Sequence, residues 1–245
     1  MTESTDKDDK ARFNERRYSD EASYSSSDYR LKNILRLIGT GHKVLDVGCY
    51  SGALGRLIAD NGNDVYGVDL SETSVNLAIK KGIKAFKIDA ENSLPFSTDL
   101  FDVVFVGEMI EHVYDTDRFL QEVKRVLRPD GYLILTTPNL ASLGRRLLLI
   151  LGKNPLVETS LKGNSAGHIR YFVNDSLFGL LKENNFATID HMSDIINFDN
   201  KGKYGSVLLA KVFPTLGRTI IVKAKNVKAP EVRKPFSQPP IENSN

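Results

Sequence analysis

Acidic residues stand at the ends of three successive apolar runs, where an α/β protein typically binds small ligands. Asp46 lies shortly before Gly48, Asp69 ends the second run, and Asp89 ends the third. In an open α/β sheet the ligand lies at the carboxyl ends of the strands. A carboxylate about 20 residues beyond a glycine-containing turn can accept hydrogen bonds from a ribose diol. The spacing therefore fits a nicotinamide dinucleotide or another adenosine-containing ligand.

The turn after the first run, in VLDVGCYSGALG at 44–55, separates these two ligands. A dinucleotide fingerprint has the pattern G-x-G-x-x-G, which lets the backbone approach a pyrophosphate. The aligned residues are Tyr50, Gly52 and Gly55, so the first glycine is missing. Asp46 would also repel a pyrophosphate, whereas its negative charge suits a ligand with an ammonium group. S-adenosylmethionine (SAM) has an ammonium, a sulfonium and an adenosine but no phosphate, and the electrostatics favour it.

Apolar runs alternate with helical patterns along most of the chain, and this alternation predicts the elements that hold the site. Predicted strands begin at 43, 64, 84, 101 and 132, with two late strands at 187–195 and 217–226. Predicted helices are 53–62, 71–82, 115–131 and 175–186, with an amphipathic helix before the first strand. Repeated βαβ units imply a doubly wound, mostly parallel sheet with helices on both faces.

Length and composition indicate one soluble domain with loose ends. The 245 residues are 41% hydrophobic and 26% charged, with a net charge of +2 that argues for neither nucleic acid nor an anionic membrane. The single cysteine excludes an internal disulfide framework, and no apolar run is long enough to span a bilayer. We expect a cytoplasmic protein with polar tails at 1–17 and 228–245 and a domain at 18–227.

Three stretches of the chain together resemble the successive motifs of class I SAM-dependent methyltransferases. They are VLDVGCYSGALGRLIADNGNDVYGVDLSETSV, KIDAENSLPF and FDVVFVGEMIEHVYDTDRFLQEVKRVLRPDGYLILTTPN, and they cover roughly residues 40 to 140. The resemblance is to the broad group that includes quinone- and methionine-biosynthesis-type methyltransferases. It implies SAM as the cofactor and a seven-stranded sheet whose last strand is antiparallel. It is specific for the superfamily and does not identify the substrate.

The resemblance also implies where SAM binds. Asp46, Gly48 and Gly52 would surround its methionine part, and Tyr50 would line the pocket as a tolerated variant of the usual glycine, although tyrosine disfavours positive φ. The other implied positions are Asp69 at the ribose hydroxyls, Leu70 against the adenine, Asp89 with Ala90 at the adenine amino group, and Glu108 beneath the sulfonium.

Two histidines are candidate bases or substrate contacts. His112 lies in EMIEHVYD after the fourth strand, and His168 lies in AGHIRYF, which resembles a family step that faces the substrate pocket. A capping role is the alternative for His168. The histidines show no ligand spacing such as H-x-x-x-H, so no metal is predicted. Cys49 is expected to be a packing residue, because no base accompanies it.

The segment LASLGRRLLLILGKNPL at 140–156 opens an insertion, about 140–185, in which we expect the acceptor to bind. It predicts either a helix that covers the active site and packs on the sheet, or a surface for lipid. In the second case Leu147 to Leu151 would meet a lipid tail, and Arg145 and Arg146 would pair with a phosphate.

The predicted function is methyl transfer from SAM to an oxygen, nitrogen or carbon nucleophile of a small or lipid-linked molecule. The sulfonium is already electrophilic, so the protein mainly aligns the reactants, and a base helps if the acceptor is a hydroxyl. One alternative is a SAM-binding regulatory or partner protein without turnover, and another is a nicotinamide-dependent oxidoreductase. The sequence specifies neither the acceptor nor the oligomeric state.

Overall fold

A computed structural model of the chain describes residues 28–159, 167–198 and 204–227. The predicted tails at 1–17 and 228–245 lie outside these ranges. No helix in the described part of the chain is both long enough and apolar enough to cross a membrane.

The described residues form helices and strands that alternate along the first half of the chain. The helices are α1 Tyr29–Ile38, α2 Ala53–Asp60, α3 Glu72–Lys80, α4 Thr116–Val126, α5 Leu143–Ile150, α6 Asn174–Glu183 and α7 Val207–Val212. The strands are β1 Lys43–Val47, β2 Asp64–Asp69, β3 Lys84–Lys87, β4 Phe101–Gly107, β5 Leu127–Pro138, β6 Phe186–Met192, β7 Ile196–Asn197, β8 Gly205–Ser206 and β9 Thr219–Asn226. Short 3-10 helices occupy Ile110–His112 and Pro214–Leu216.

Seven strands form one sheet in the order β3-β2-β1-β4-β5-β9-β6. All neighbours are parallel except β9, which is inserted between β5 and β6 and runs antiparallel to both. The predicted seven-stranded sheet with an antiparallel last strand is therefore confirmed. The strand order reverses between β1 and β4, and their carboxyl ends form the crevice where such sheets bind ligands.

Two hydrophobic clusters lie on the two faces of this sheet. One contains side chains of α1, α2 and α3, such as Ile34, Ile58 and Ala78, and the other contains side chains of α4 and α6, such as Phe119 and Leu181. The strands between them are buried on both faces, which explains their nearly continuous apolar sequences. Helices on both faces were predicted, and the structure confirms them.

Helix ends follow their local chemistry, with one correction to the predicted boundaries. The Ser71 hydroxyl accepts the Ser74 N–H and caps α3, as expected. Helix α4 was predicted to run to 131, but it ends at Val126, and Leu127 already pairs with Phe101 in the sheet. The reason lies partly in Pro129, because a proline pushes the residue before it into extended backbone.

Two short features were not predicted from the sequence. The hairpin of β7 and β8 leads directly into α7, a helix of only 6 residues, which is too short for a periodic apolar pattern. Helix α5 was predicted, but none of its residues is buried, so it does not pack on the sheet as an ordinary lid helix would.

Candidate active site

The turn from β1 to α2 has a backbone that depends on glycine. Gly48 has φ 77° and Gly52 has φ 71°, a region that side chains rarely adopt. A Cβ on Gly52 would also lie 2.7 Å from the Cα of Ala78 in α3. The N–H of Gly48 donates to Val68 O at 2.8 Å, which ties the turn to the end of β2. The sequence D-x-G-x-x-x-G thus encodes a tight turn from β1 to α2 that is hydrogen-bonded to the end of β2.

Tyr50 adopts the left-handed conformation that a glycine would adopt at this position. Its φ is 48°, which costs a non-glycine residue about 1–2 kcal/mol. Its backbone N–H donates to Asp69 Oδ2 at 2.9 Å, which compensates part of that cost. The tyrosine therefore strains the turn without changing its path.

The two acids of the first two strands differ in exposure, and burial raises the pKa of both. Asp69 is half-buried, and Oδ1 accepts the Ser71 N–H while Oδ2 accepts that of Tyr50; burial raises its pKa above the ordinary range. Asp46 is only 2% exposed, and burial followed by repulsion from Asp69 raises its pKa to about 7. A nearby cation would favour the ionised form of Asp46. Burial also raises the Cys49 pKa well above the usual range, so this thiol is no nucleophile at neutral pH.

Asp89 follows β3 and caps the turn that comes after it. Oδ1 accepts a hydrogen bond from the Glu91 N–H at 3.1 Å, and Oδ2 accepts one from the Asn92 side-chain amide at 2.9 Å. This is the capping arrangement, although a carboxylate retains lone pairs for a ligand donor. Ala90 is buried beside it, and Leu70 at the end of β2 is half-buried.

Glu108 directly follows the carboxyl end of β4. Its backbone is left-handed, with φ 50°. Oε1 lies 2.9 Å from the Arg30 guanidinium and accepts the Thr136 hydroxyl proton at 3.1 Å. A Cβ on Gly48 would lie 3.5 Å from Met109 Sδ, so the segments after β1 and β4 meet across the crevice.

Glu111 is a buried acid within the short helix that follows β4. It is 1% exposed; Oε2 accepts the Thr137 hydroxyl proton at 3.0 Å, while Oε1 has no hydrogen-bond partner. Burial, with repulsion from Glu108 second, raises its pKa to about 8. A buried acid with an unused oxygen is costly unless it serves a ligand or a proton transfer.

The structure brings both predicted histidines to Glu111. His168 Nε2 lies 3.8 Å from Glu111 Oε1, and the His112 and His168 rings have centroids 4.9 Å apart. His112 Nδ1 lies 3.0 Å from Gly167 O, a carbonyl that can only accept, so the ring donates through Nδ1. Glu158 Oε2 accepts the N–H groups of Gly167 and His168 and holds the backbone at these two residues.

This Glu111–His112–His168 cluster can act as a proton acceptor or as a metal-binding group. One ligand atom from each residue lies within 4.8 Å of the other two. Two imidazoles and a carboxylate form a donor set that suits zinc or other divalent metals. The expectation of no metal rested on spacing along the sequence, which does not reflect residues that the fold brings together, and it stays a prediction.

Two charged residues near the crevice were missed by the sequence analysis, and a third was singled out only as a contact for a lipid phosphate. Glu111 had a visible signal, since it stands three positions after Glu108 in EMIEH, whereas Arg30 had none; the third residue is Arg145. Arg145 Nη1 is buried without a hydrogen-bond partner, and burial lowers the pKa of this guanidinium while Tyr171 and Glu108 act to raise it. Arg146 is exposed and donates to Ala141 O, so the two arginines have different surroundings.

Comparison with known proteins agrees with this architecture. Residues 45–135 match the methyltransferase domain family Methyltransf_11. A ubiquinone biosynthesis O-methyltransferase of Actinobacillus pleuropneumoniae is 33% identical over 133 residues, covering 50% of this chain and 56% of that protein. The chain spans about half the length of the curated relatives it matches.

Solved structures show the same fold. A SAM-dependent methyltransferase from Thermotoga maritima has a TM-score of 0.62 at 20% identity and covers 81% of this chain and 88% of its own. A Burkholderia thailandensis 1,6-didemethyltoxoflavin-N1-methyltransferase was solved with bound 1,6-didemethyltoxoflavin and S-adenosylhomocysteine. Its TM-score is 0.58 at 17% identity, and the match covers 91% of this chain and 87% of that protein. The chain therefore has the Rossmann-like fold of these solved methyltransferases, and its residues 45–135 match a methyltransferase domain family.

Proposed function

We propose that this chain transfers a methyl group from SAM to a nucleophile of a small molecule, with an oxygen as the first candidate. The observation that carries the proposal is that two different sites adjoin the segment after β4. Gly48 of the turn beside Asp69 lies against Met109, and the Glu111–His112–His168 cluster contains the next residues of that segment. The name of the O-methyltransferase relative supports an oxygen acceptor.

The proposed cofactor residues are those of the turn and of the neighbouring strand ends. Gly48, Tyr50 and Gly52 would hold the methionine part, and its ammonium would favour the ionised form of Asp46. Arg30, which pairs with Glu108, offers a guanidinium to the methionine carboxylate. The remaining proposed contacts are Asp69 with the ribose hydroxyls, Leu70, Asp89 and Ala90 with the adenine, and Glu108 beneath the sulfonium.

The proposed chemistry needs few groups from the chain. SAM, when bound, supplies an electrophilic methyl group. The chain aligns the acceptor oxygen with that methyl group and excludes water. His168 would accept the hydroxyl proton of the acceptor, and Glu111, whose Oε1 lies 3.8 Å from His168 Nε2, would stabilise the resulting imidazolium when it is ionised. His112, whose ring lies against His168, is the second proposed catalytic residue.

The acceptor is proposed to bind in the segment from 140 to 185, which carries His168, Arg145 and Tyr171. Arg145, with its unpartnered buried nitrogen, suits an acceptor that has a carboxylate or phosphate. A lipid-linked acceptor and contact of 140–156 with a membrane are part of this proposal, supported by the exposed leucines of α5. The cytoplasmic location stays a prediction.

Two alternatives are less well supported. The missing fingerprint glycine and the buried Asp46 disfavour a pyrophosphate and therefore a nicotinamide dinucleotide. Nothing in the comparisons supports a SAM-binding protein without turnover, and the relatives described above are all named as methyltransferases.

Turnover with labelled SAM tests the proposal. The full chain is incubated with methyl-labelled SAM and a panel of phenols, catechols, amines and anionic hydroxy compounds, each with and without EDTA. Release of S-adenosylhomocysteine with one hydroxyl class supports the proposal, and loss of turnover in His168→Gln assigns the base. Binding of S-adenosylhomocysteine without turnover on any acceptor or lipid extract would favour the regulatory alternative. Turnover that EDTA abolishes and Mg²⁺ or Zn²⁺ restores would make the cluster a metal site.

A further inference from the structure

Exposed apolar side chains concentrate in two segments of the chain. Of the sixteen exposed large apolar side chains in the described residues, eleven lie in 147–156 or 198–213. The most exposed of them are Ile150 at 80%, Leu208 at 71%, Leu151 at 67% and Val212 at 61%. Single exposed apolar residues are ordinary, but a contiguous group of them marks an interaction site.

These two segments form one surface. Helices α5 and α7 both pack against β7, and β7 pairs with β8, which continues directly into α7. No residue of α5 is buried, so its leucines do not belong to the hydrophobic core. We call the side chains of 147–156 and 204–213 the basic apolar surface.

The basic apolar surface lies at the edge of the sheet that carries the active site. Helix α5 follows the carboxyl end of β5, and α7 precedes β9, whose Thr219 pairs with Pro138 at that same end. Arg145 is the residue of α5 whose buried guanidinium interacts with Glu108. One helix therefore links the surface to the crevice.

Charge on this surface has one sign. Neither 140–156 nor 204–218 contains an aspartate or a glutamate. Arg218 pairs with Asp194, which leaves Arg146, Lys153 and Lys211 as exposed cations around the apolar side chains. Apolar side chains interspersed with cations are typical of segments that lie in an anionic membrane interface. The net charge of +2 does not reveal this because the charges are unevenly distributed.

We propose that the basic apolar surface docks the protein on an anionic lipid bilayer, with the active-site edge turned toward the membrane. Charge favours this occupant over a second copy of the chain, because two copies would bring like charges together. The proposal rests on the membrane contact proposed above for 140–156 and deepens it, since it extends that contact to 204–213, specifies anionic lipid and holds for any acceptor chemistry.

Vesicle flotation of the full chain tests the proposal. Vesicles of phosphatidylcholine alone are compared with vesicles that contain about 30% phosphatidylglycerol, at low and at high salt. The expected result is partition at least about tenfold stronger on the anionic vesicles, reduced by salt because the cations lie near the surface. Equal partition on both vesicle types, or none on either, would overturn the proposal.

Variants distinguish vesicle binding through this surface from nonspecific vesicle binding by other parts of the protein. Ile150→Ser with Leu208→Ser removes apolar area, and Arg146→Glu with Lys153→Glu reverses charge. Each lost positive charge should weaken partition about fivefold. The matched control is Ile79→Ser with Lys80→Glu on α3, where Ile79 is also exposed, at 51%, but lies outside the basic apolar surface. Variants of the surface that still bind as the parent does, or a control that weakens binding equally, would contradict the proposal.

Two further measurements keep the outcome clear. Binding of S-adenosylhomocysteine without vesicles is measured for every variant, and an unchanged affinity shows that the fold and the cofactor site are intact. Failure of methyl transfer would leave vesicle partition unchanged, so the two proposals fail separately. Light scattering across a concentration series detects a second copy, and a dimer that prevents vesicle binding would overturn the membrane assignment.

Discussion

The proposed cofactor side and the proposed acceptor side of the crevice are built in different ways. The cofactor side comes from consecutive motifs between 44 and 108, and its key contact joins Tyr50 to Asp69 at the ends of adjacent strands. The acceptor side joins His112 to His168, which belong to distant parts of the chain, and it borders a helix without buried residues. Because the cofactor side depends on consecutive motifs and the acceptor side on contacts between distant segments, the sequence predicts the cofactor more readily than the acceptor.

The largest expected effect is a loss of kcat, without a loss of cofactor affinity, when a residue of the acceptor side is replaced. Glu111→Gln or His168→Gln should lower kcat by about 10²- to 10⁴-fold, the usual contribution of a general base. Affinity for S-adenosylhomocysteine should change less than about threefold, since neither residue is a proposed cofactor contact. His42→Gln, at the opposite end of β1, is the matched control. Parallel loss of kcat and affinity would show that the two sides are not separate.

The next largest expected effect is a loss of cofactor affinity when Asp69 on the cofactor side is replaced. Asp69→Ala should weaken S-adenosylhomocysteine binding about 100-fold or more, because each hydrogen bond to a charged group contributes about 1.5–3 kcal/mol. Asp64→Ala is the control, since this acid lies on the same strand but forms only an exposed ion pair with Lys84. Calorimetric titration measures both variants. Unchanged affinity in Asp69→Ala would remove the ribose assignment.

A pH dependence of stability should distinguish the acids of the two sides. Asp46 and Glu111 have pKa values raised to about 7 and about 8, so the folded state binds their protons more tightly than the unfolded chain does. Their stabilising contribution is therefore complete below pH 4 and is lost as pH rises toward 7 and 8, by at most about 1.4 kcal/mol per unit for each acid.

Chemical denaturation at pH 5.5 and 7.5 measures this loss. Glu111→Gln and Asp46→Asn should each reduce this loss. S-adenosylhomocysteine should suppress only the part due to Asp46, because its ammonium is proposed to bind on that side. A ligand effect of equal size in Asp46→Asn and in the parent would contradict the placement of the ammonium.

The smallest effect concerns the strained tyrosine. Tyr50→Gly should stabilise the protein by about 1 kcal/mol, because glycine adopts φ 48° without steric cost. Affinity for S-adenosylhomocysteine should change less than about tenfold. Asp99→Gly relieves a similar left-handed residue, with φ 59°, far from the crevice and serves as the control. Thermal unfolding and titration check both, and a large gain of affinity in Tyr50→Gly alone would show that tyrosine obstructs the site.

The sequence predicted most of the fold because its signals are local. Alternating apolar runs and capped helices gave all seven strands of the sheet, and the antiparallel last strand followed from the resemblance. The boundary between α4 and β5 was wrong, since pairing of Leu127 with Phe101 outweighs helical periodicity. Helix α7 is too short to leave a pattern.

The acceptor side was less predictable because it depends on contacts between distant segments. Both histidines were singled out, but neither their meeting nor the burial of Glu111 could be foreseen from spacing. Arg145 and Arg146 looked equivalent in sequence, and only the fold gives one a buried nitrogen and the other an exposed position. Such differences depend on where a helix lies, which one sequence does not specify.

Calorimetric titration of the full chain with S-adenosylhomocysteine, with NAD run alongside, tests the central claim most directly. The account predicts micromolar binding of S-adenosylhomocysteine and no binding of NAD, because the turn at Tyr50 keeps a glycine-like backbone beside Asp69 and Asp46. Binding of NAD, or of neither ligand, would contradict it and would show that the tyrosine has closed the site or changed its ligand.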